Sequence, residues 1–441
     1  MRLFFLALLI AAVAGGVHGA SLGGQLELAT AEKDPHAQIE LIRRILDNES
    51  DEVLRRRLVS LWLEVADYEM AEMALKEWKA APPGFYAIVA AEILVGRDRN
   101  RKDAIALLEA YHKKDPADRD VTLRLVEALS TEGNATRIDE VLSGTPGIAD
   151  DGELRLRRAQ ARRTFGDLAG ALEDFSAADQ IDSEIGTDQR PSFDRIRASL
   201  PEFRATTAVL ADHPDDFVAR VTRAQLYREA GAGSGLIAAD AKAALTRVPD
   251  SVAATLLYVA ATQTSEQALK DFSVDLGKSP PTREALRSLA ELDVSIAKNP
   301  RDAEALAARS FLLNDTPAQY LLGLRDAESA LKVDPTLAEA HLEGVYALIE
   351  LNRTAEAKKQ IETMRRAKAP AAQMANAYGY LAKDELESYR LNSALDYATK
   401  SLEYEPSSKR YATRAAILQR LNRAAEARED LGRAKALGKK P

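Results

Sequence analysis

Four arginine–aspartate pairs recur along the chain with a nearly constant separation. The two residues of each pair are 16 or 17 positions apart, which in a helix–turn–helix hairpin places the side chains across the seam between the helices. A guanidinium and a carboxylate can form a structural ion pair there, or provide an anion or carboxylate site. Because the arrangement returns in separate segments, we interpret it as a repeated salt bridge that fixes helix pairing. The pairs are Arg158 with Asp174, Arg223 with Asp240, Arg309 with Asp326, and Arg414 with Asp430.

The other chemically capable residues do not form a catalytic or metal-binding motif. Four histidines lie beyond residue 20, no two of them close in sequence, and the chain contains no cysteine. We therefore predict no metal site and no cofactor. Segment 231–235 reads GAGSG but lacks the lysine of a phosphate-binding loop and follows a helical pattern, so we interpret it as a widened turn. With no catalytic constellation in the sequence, we predict that the protein is not an enzyme.

The elements that position these residues are indicated by regularly spaced prolines and alanines. Prolines close Ala-rich helical stretches at 35-residue intervals, from Pro214 to Pro249 and from Pro300 to Pro335, and alanines elsewhere recur in steps of 33. A period in the low thirties, with two amphipathic helices in each unit, is typical of a helical solenoid. In a solenoid each repeat packs only on its neighbours, so a chain of 441 residues needs no single core.

The clearest repeat is 151–182, which reads DGELRLRRAQARRTFGDLAGALEDFSAADQID. We predict one helix to about Phe165, a turn at Gly166 and Asp167, and a second helix from Leu168. The same pattern returns in 51–82, 83–116, 214–249, 300–335, 336–370, 375–406 and 407–441.

With a small residue in each helix, Gly or Asn at the turn and Pro after the second helix, the chain resembles tetratricopeptide repeat (TPR) proteins, among them exported bacterial ones. The resemblance implies an all-α fold, a right-handed superhelical solenoid of antiparallel helix pairs. Gly-, Pro- and Asp-rich stretches, and one short interval between prolines, indicate irregular breaks near 143–152, 182–192 and 281–300. We therefore predict an N-terminal array (21–145), a central array (151–281), a single connecting helix (283–298) and a C-terminal array (300–441).

The N-terminal twenty residues have the pattern of a signal peptide. Arg2 precedes an apolar run from Leu3 to Val13, and the small residues Gly19 and Ala20 allow cleavage after either. Eleven apolar residues are too few to span a bilayer, which needs about 20. We expect a protein secreted across the inner membrane, most simply into a bacterial periplasm, with no transmembrane segment after signal removal.

The charge balance after residue 20 excludes one class of partner. Without Arg2 the chain has 59 basic and 68 acidic residues, a net charge of −9. Proteins that bind nucleic acid need clustered Lys and Arg to contact phosphates. We therefore predict no nucleic-acid partner.

The resemblance implies that residues of the first helix of each pair, where they do not pack into the core, form a concave binding surface. Amide, guanidinium and aromatic groups there suit an extended peptide or a partner helix, although a solvated face without a ligand would look similar. We predict a non-catalytic protein–protein interaction scaffold of the bacterial cell envelope. An accessory subunit that binds or guides an envelope polysaccharide is the alternative. The candidate groove residues are Gln160, Arg163, Gln225, Arg228, Phe311, Asn314 and Tyr346.

Overall fold

The computed structural model describes residues 34–47, 50–97, 99–277, 281–315 and 318–438. Over these residues the regular structure is helical throughout, with 23 α-helices and one short 3-10 helix. The predicted all-α, TPR-like fold class is confirmed. The predicted signal segment 1–20 lies outside the described residues. Contacts divide the chain into a first unit ending at Gln189 and a second unit beginning at Arg190, and the division into three arrays stays a prediction.

The first unit consists of one helix followed by four consecutive helix pairs, in which successive helices pack on each other. The predicted break at 143–152 contains the 3-10 helix Ile148–Asp150. The helices are α1 (Pro35–Leu46), α2 (Glu52–Glu64), α3 (Tyr68–Glu77), α4 (Pro83–Gly96), α5 (Arg101–His112), α6 (Arg119–Thr131), α7 (Ala135–Ser143), α8 (Gly152–Phe165) and α9 (Leu168–Ile181).

The second unit begins with a long helix that the sequence patterns did not predict, and it continues with helix pairs interrupted by one single helix. Its helices are α10 (Arg190–Asp212), α11 (Phe217–Ala230), α12 (Ser234–Arg247), α13 (Val252–Thr262), α14 (Ser265–Phe272), α15 (Arg283–Lys298), α16 (Ala303–Asp315), α17 (Tyr320–Val333), α18 (Ala338–Glu350), α19 (Thr354–Arg366), α20 (Ala371–Glu387), α21 (Leu391–Tyr404), α22 (Ser408–Arg420) and α23 (Ala424–Leu437).

Local signals explain where many of these helices begin and end. In the repeat 151–182, Asp151 accepts a hydrogen bond from the backbone N–H of Leu154 at 3.0 Å, and Asp167 accepts one from Gly170 at 2.9 Å. These side chains satisfy N–H groups that the first turn of a helix leaves unpaired. Gly166 ends α8 with φ of 95°, a left-handed conformation that glycine adopts without steric cost. The predicted turn at this point is therefore present.

Alanines lie where the helices approach each other most closely. A methyl group leaves room for two helix backbones to pack with little distance between them, and it costs no side-chain entropy. The recurring alanines of the sequence are at most 1% exposed, so they form the seams of the helix pairs. They are Ala71, Ala104, Ala171, Ala268, Ala357, Ala394 and Ala427.

The single helix α15 does more than connect two arrays, because it packs against α11, α13 and α16. Its apolar residues Leu286, Leu289 and Ala290 are buried in the core that they share with α11 and α13. Among the described helices, none combines the length and the apolar character needed to cross a bilayer.

Candidate functional site

The four arginine–aspartate pairs are present, each as a bidentate ion pair across the seam of one helix pair. Nε of the arginine donates to one carboxylate oxygen at 2.7 Å, and Nη2 donates to the other at 2.7 to 2.9 Å. All four aspartates are buried. They occupy the arginine N–H groups that would otherwise bind an external anion. This geometry fits the structural interpretation better than an anion site. The pairs are Arg158–Asp174 (α8, α9), Arg223–Asp240 (α11, α12), Arg309–Asp326 (α16, α17) and Arg414–Asp430 (α22, α23).

The guanidinium of Arg309 also contacts a second buried carboxylate. Its Nη1 donates to Asp293 at 2.7 Å, and Asp293 accepts two further hydrogen bonds, from Ser251 Oγ at 2.7 Å and the N–H of Ala253 at 2.9 Å. Burial lowers the pKa of Arg309, but the two carboxylates outweigh burial and raise that pKa above its ordinary value. Burial also raises the pKa of Asp293. The cluster joins α13, α15, α16 and α17, so we interpret it as a structural hub.

Two of the predicted groove residues, Gln160 and Arg163, lie on α8 in the first unit. Both side chains are half-buried. The carbonyl of Gln160 accepts a hydrogen bond from Thr164 Oγ1 at 2.9 Å, which is a contact within the helix. A role of these two residues in binding a partner stays a prediction.

Gln225 and Arg228 lie on α11, beside the segment that leads into α15. Gln225 is buried and its Nε2 donates to Glu229 at 2.7 Å. Arg228 donates to Gln225 Oε1 and to the carbonyl of Pro281, both at 2.9 Å, and Arg283 of α15 pairs with Glu229. Burial lowers the pKa of Arg228. Because their polar groups are bonded to each other, to Glu229 and to Pro281, these residues offer a partner less than an open face would.

The other three predicted groove residues, Phe311, Asn314 and Tyr346, line one cleft of 580 Å³ in the second unit. The first helices of four successive pairs, α16, α18, α20 and α22, contribute to its walls, and α18 packs beside both α16 and α20. Phe311 is 55% exposed, whereas Asn314 is 1% exposed. The structure thus brings these three residues together in what we call the α16–α22 cleft, our candidate functional site.

Aromatic residues recur in this cleft at equivalent positions of three successive first helices. Phe311, Tyr346 and Tyr380 are separated by 35 and 34 residues. The rings of Tyr346 and Tyr380 are in contact, with centroids 4.9 Å apart and planes tilted by 42°, and Tyr320 packs edge-on against Tyr346 at 6.0 Å. Burial raises the pKa of Tyr380 to about 12, so its hydroxyl stays protonated at neutral pH. The row can therefore contact an apolar or cationic ligand group over more than one repeat.

One end of the cleft is acidic. Glu343 on α18 is 8% exposed, and its Oε2 accepts a hydrogen bond from Asn314 Nδ2 at 3.0 Å. The same Nδ2 also donates to the backbone carbonyl of Glu343, at 3.1 Å. Burial raises the pKa of Glu343, the hydrogen bond from Asn314 lowers it, and the carboxylate of Asp315 raises it. Asp315 itself is exposed at the end of α16.

The other end of the cleft is basic. Lys409 and Arg410 on α22, the last of the four helices, line it, whereas Lys383 on α20 lies nearer to Tyr346. Arg410 is held by Glu405 at 2.6 Å and by Asn376 at 2.8 Å, whereas Lys409 is exposed. The cleft therefore has opposite charges at its two ends, which would favour one direction of an extended ligand.

The first unit also has a cleft, of 320 Å³, between α4, α5 and α6. Its half-buried carboxylate Glu92 is paired with Arg124, which also contacts Glu127 at 2.7 Å. Because the buried carboxylate of this cleft is already paired with an arginine, the cleft offers a cationic ligand less than the α16–α22 cleft does.

Sequence reasoning missed several lining residues, chiefly Tyr380, Glu343 and Lys383. Tyr380 could have been found, because it follows Tyr346 by one period of the repeat. Glu343 gives no such signal: a glutamate in an amphipathic helix predicts an exposed side chain, and its burial depends on the neighbouring helices.

No protein-family model matches the sequence, and no curated protein matches it. Solved structures that resemble the chain include the following three. In the APC/C hetero-tetramer Cut9–Hcn1 the similar chain is 12% identical, with coverage of 94% of this chain and 85% of that one and a TM-score of 0.30. A tetratricopeptide repeat protein from Parabacteroides merdae is 15% identical, with coverage of 81% and 93% and a TM-score of 0.28. Yeast Tom70 is 14% identical, with coverage of 94% of each chain and a TM-score of 0.25. Likenesses at these TM-scores say nothing about the function of this chain.

Proposed function

We propose that the protein is a non-catalytic interaction scaffold that binds an extended peptide or a helix of a protein partner in the α16–α22 cleft. The observation that supports this most directly is the row of Phe311, Tyr346 and Tyr380, one from each of three successive first helices, in a cleft of 580 Å³. Aromatic side chains in a groove, bordered by charged groups, are typical of surfaces that bind protein segments. The 55% exposure of Phe311 leaves its ring open to a ligand.

We further propose that the scaffold acts in the bacterial cell envelope after export. The proposal depends on the N-terminal pattern of Arg2, the apolar run and the small residues at 19 and 20. This localisation can be tested by cell fractionation, with the protein in each fraction detected by an antibody to a C-terminal tag.

Site-specific cross-linking tests the scaffold function. A photo-reactive phenylalanine analogue replaces Phe311 in the cleft, and in a matched control it replaces Tyr389, which is 81% exposed in a turn outside the cleft. We expect one or two proteins of an envelope extract to cross-link at position 311 and not at 389. The added substitution Tyr380→Ala should abolish these cross-links. Equal labelling at both positions, or labelling that survives Tyr380→Ala, would contradict the proposal.

An envelope polysaccharide is the second candidate ligand, and the aromatic row is the observation that favours it. Sugar rings stack on open aromatic faces, but Tyr346 and Tyr380 contact each other at 4.9 Å and so partly cover each other's faces. A protein segment is therefore the better fit. If no protein cross-links at position 311, a glycan array probed with the wild type and with Tyr380→Ala decides whether a polysaccharide is the ligand.

A further inference from the structure

We propose that the acidic end of the α16–α22 cleft is a pocket for a cationic side chain, lysine or arginine, of the partner segment. The pocket is formed by the carboxylates of Glu343 and Asp315 and by the rings of Tyr346 and Tyr380. The inference rests on the proposed function, because the cation is taken to belong to a bound protein segment.

The first argument is that the charges of this pocket have no cation in the described chain. Neither Glu343 nor Asp315 forms an ion pair with a described residue. The one hydrogen bond to the carboxylate of Glu343 comes from the neutral amide of Asn314. Asp315 lies at the last turn of α16, where the helix carbonyls add partial negative charge. The pocket therefore has a negative potential that a ligand cation would relieve.

The second argument is the burial of Glu343. A buried carboxylate without a cationic partner destabilises the folded state, and proteins usually pair such groups. The buried aspartates at the seams of this chain follow that rule, because each is bonded to an arginine. Glu343 departs from the rule at a position that lines the cleft. A residue kept at a cost in stability and facing an open cleft is a candidate for ligand binding.

The third argument is the character of the surrounding walls. A neighbouring cleft of 710 Å³ shares Glu343 and Phe311 with the α16–α22 cleft. Two more glutamates, Glu304 and Glu339, line it, and its lining residues in the described chain include no lysine or arginine. In the α16–α22 cleft, the rings of Tyr346 and Tyr380 line the same wall space as Glu343. Carboxylates next to aromatic faces attract ammonium and guanidinium groups through both charge and the ring quadrupole.

Lys383 is the nearest basic residue that could compete with a ligand. It is exposed and lies 3.7 Å from Glu387 on its own helix. Burial raises the pKa of Tyr346 and the charge of Lys383 lowers it, so Lys383 lies near this ring, but among the described residues its ion pair is with Glu387 and not with Glu343 or Asp315. The pocket is thus open to an external cation.

Small cations test the pocket without knowledge of the partner. The full chain from residue 21 onward is prepared with ¹³C-labelled tyrosine, and the ring signals of Tyr346 and Tyr380 are assigned with Tyr→Phe variants. The probes are n-butylammonium and n-butylguanidinium, which distinguish a lysine from an arginine ligand. The neutral n-butanol is the control, and MgCl2 at matched chloride tests a metal ion as the occupant.

We expect saturable shifts of the Tyr346 and Tyr380 signals with one or both organic cations and none with n-butanol. The variant Glu343→Gln keeps the acceptor for Asn314 but removes the charge, so it should weaken binding about tenfold. Glu356→Gln, at an exposed glutamate of α19 that pairs with Arg353, should bind as the wild type does. No saturable shift with either organic cation, unchanged binding in Glu343→Gln, or tighter binding of Mg²⁺ than of both organic cations would overturn the inference.

The two proposals fail in different ways. If partners still cross-link at position 311 but butylammonium and butylguanidinium do not bind, the cationic pocket is wrong and the scaffold function stands. If the cations bind at Glu343 but no protein cross-links at position 311, the scaffold function is wrong and the pocket serves a different cationic ligand.

Discussion

Replacing Arg309 with methionine should destabilise the second unit more than any comparable change at the other seams. Met has a similar length and no charge, so the change removes the cation with little loss of volume. The side chain of Arg309 is 8% exposed, and it is bonded to Asp293 and Asp326, whose side chains are 0% and 4% exposed. The variant therefore leaves two buried carboxylates without a cation.

The magnitude follows from what each carboxylate keeps. Asp293 retains the donors Ser251 Oγ at 2.7 Å and the N–H of Ala253 at 2.9 Å, whereas Asp326 loses both hydrogen bonds that Arg309 donates. Removing one partner of a buried ion pair costs about 3 to 5 kcal/mol of unfolding free energy. Asp293 keeps two neutral donors but loses its cation, so we expect about 4 kcal/mol, shared between Asp293 and Asp326. The double variant Arg309→Met/Asp326→Leu should recover about half of that loss.

The matched control is Arg414→Met in the last helix pair. Arg414 binds one buried aspartate, Asp430, and its side chain is 19% exposed. Its contribution lies between those of exposed and buried pairs, so we expect a loss of about 1 to 2 kcal/mol. A larger loss in Arg309→Met than in Arg414→Met would show the combined effect of the deeper burial of Arg309 and of its second carboxylate.

Urea unfolding gives the free energies, and native-state hydrogen exchange of α15 to α17 locates the loss, because repeat arrays can unfold in parts. Stranded buried carboxylates have pKa values above those of the unfolded chain, so the folded variant gains stability as the pH falls. The difference between Arg309→Met and wild type should therefore shrink from pH 7 to pH 5. A loss below about 1 kcal/mol, or a double variant no more stable than the single one, would refute the reasoning.

Three further changes have expected outcomes. Ala171→Leu should overpack the seam of α8 and α9 and cost about 1 to 3 kcal/mol, seen as a lower Tm; an unchanged Tm would mean that the assigned register is wrong. Burial raises the pKa of Glu385, but its ion pairs with Arg390 and Lys358 outweigh burial and hold the pKa below its ordinary value. The stability that the charge of Glu385 contributes is present above the pKa of the unfolded chain and is lost as the pH falls through the folded-state pKa. Glu385→Gln should therefore make the Tm less dependent on pH below about 4. Because burial raises the pKa of Glu343, the charge costs stability above the folded pKa, so Glu343→Gln should raise the Tm at pH 7; a lower Tm would indicate a structural role.

Much of the helical framework could be predicted from the sequence, because each repeat contains its own signals. The helix bounds at Phe165 and Leu168 follow from Gly166 and Asp167, which act on their nearest neighbours. The spacing of the arginine–aspartate pairs could be used in the same way, since a hairpin of two helices fixes which residues meet. These signals are local, and local signals are readable without knowledge of the rest of the chain.

The parts of the site that depend on distant packing could not be predicted. α15 was expected as a single connecting helix, but the sequence did not show that the segment 281–283 at its start would bond to Arg228 and Glu229, 53 and 54 residues earlier. The buried position of Glu343 likewise depends on Asn314, 29 residues earlier. Contacts between residues so far apart do not follow the period of the repeat. Of the groove residues predicted from that period, only Phe311, Asn314 and Tyr346 therefore line one cleft.

The contrast between the seams and the cleft separates structure from function in this chain. At the seams, the repeat places an arginine opposite each of the four aspartates, and the ion pair is complete within one helix pair. In these ion pairs the charged groups are already bonded to each other, so few of their donors and acceptors are free to bind a ligand. Glu343 is also buried, at 8% exposed against 1 to 3% for these aspartates, yet it has an amide donor and no cation. Since an unpaired buried charge costs stability, its persistence at the wall of a cleft is best explained by a partner that supplies the missing charge. In a repeat protein, the position where the pairing rule is broken is therefore the position to test first for binding.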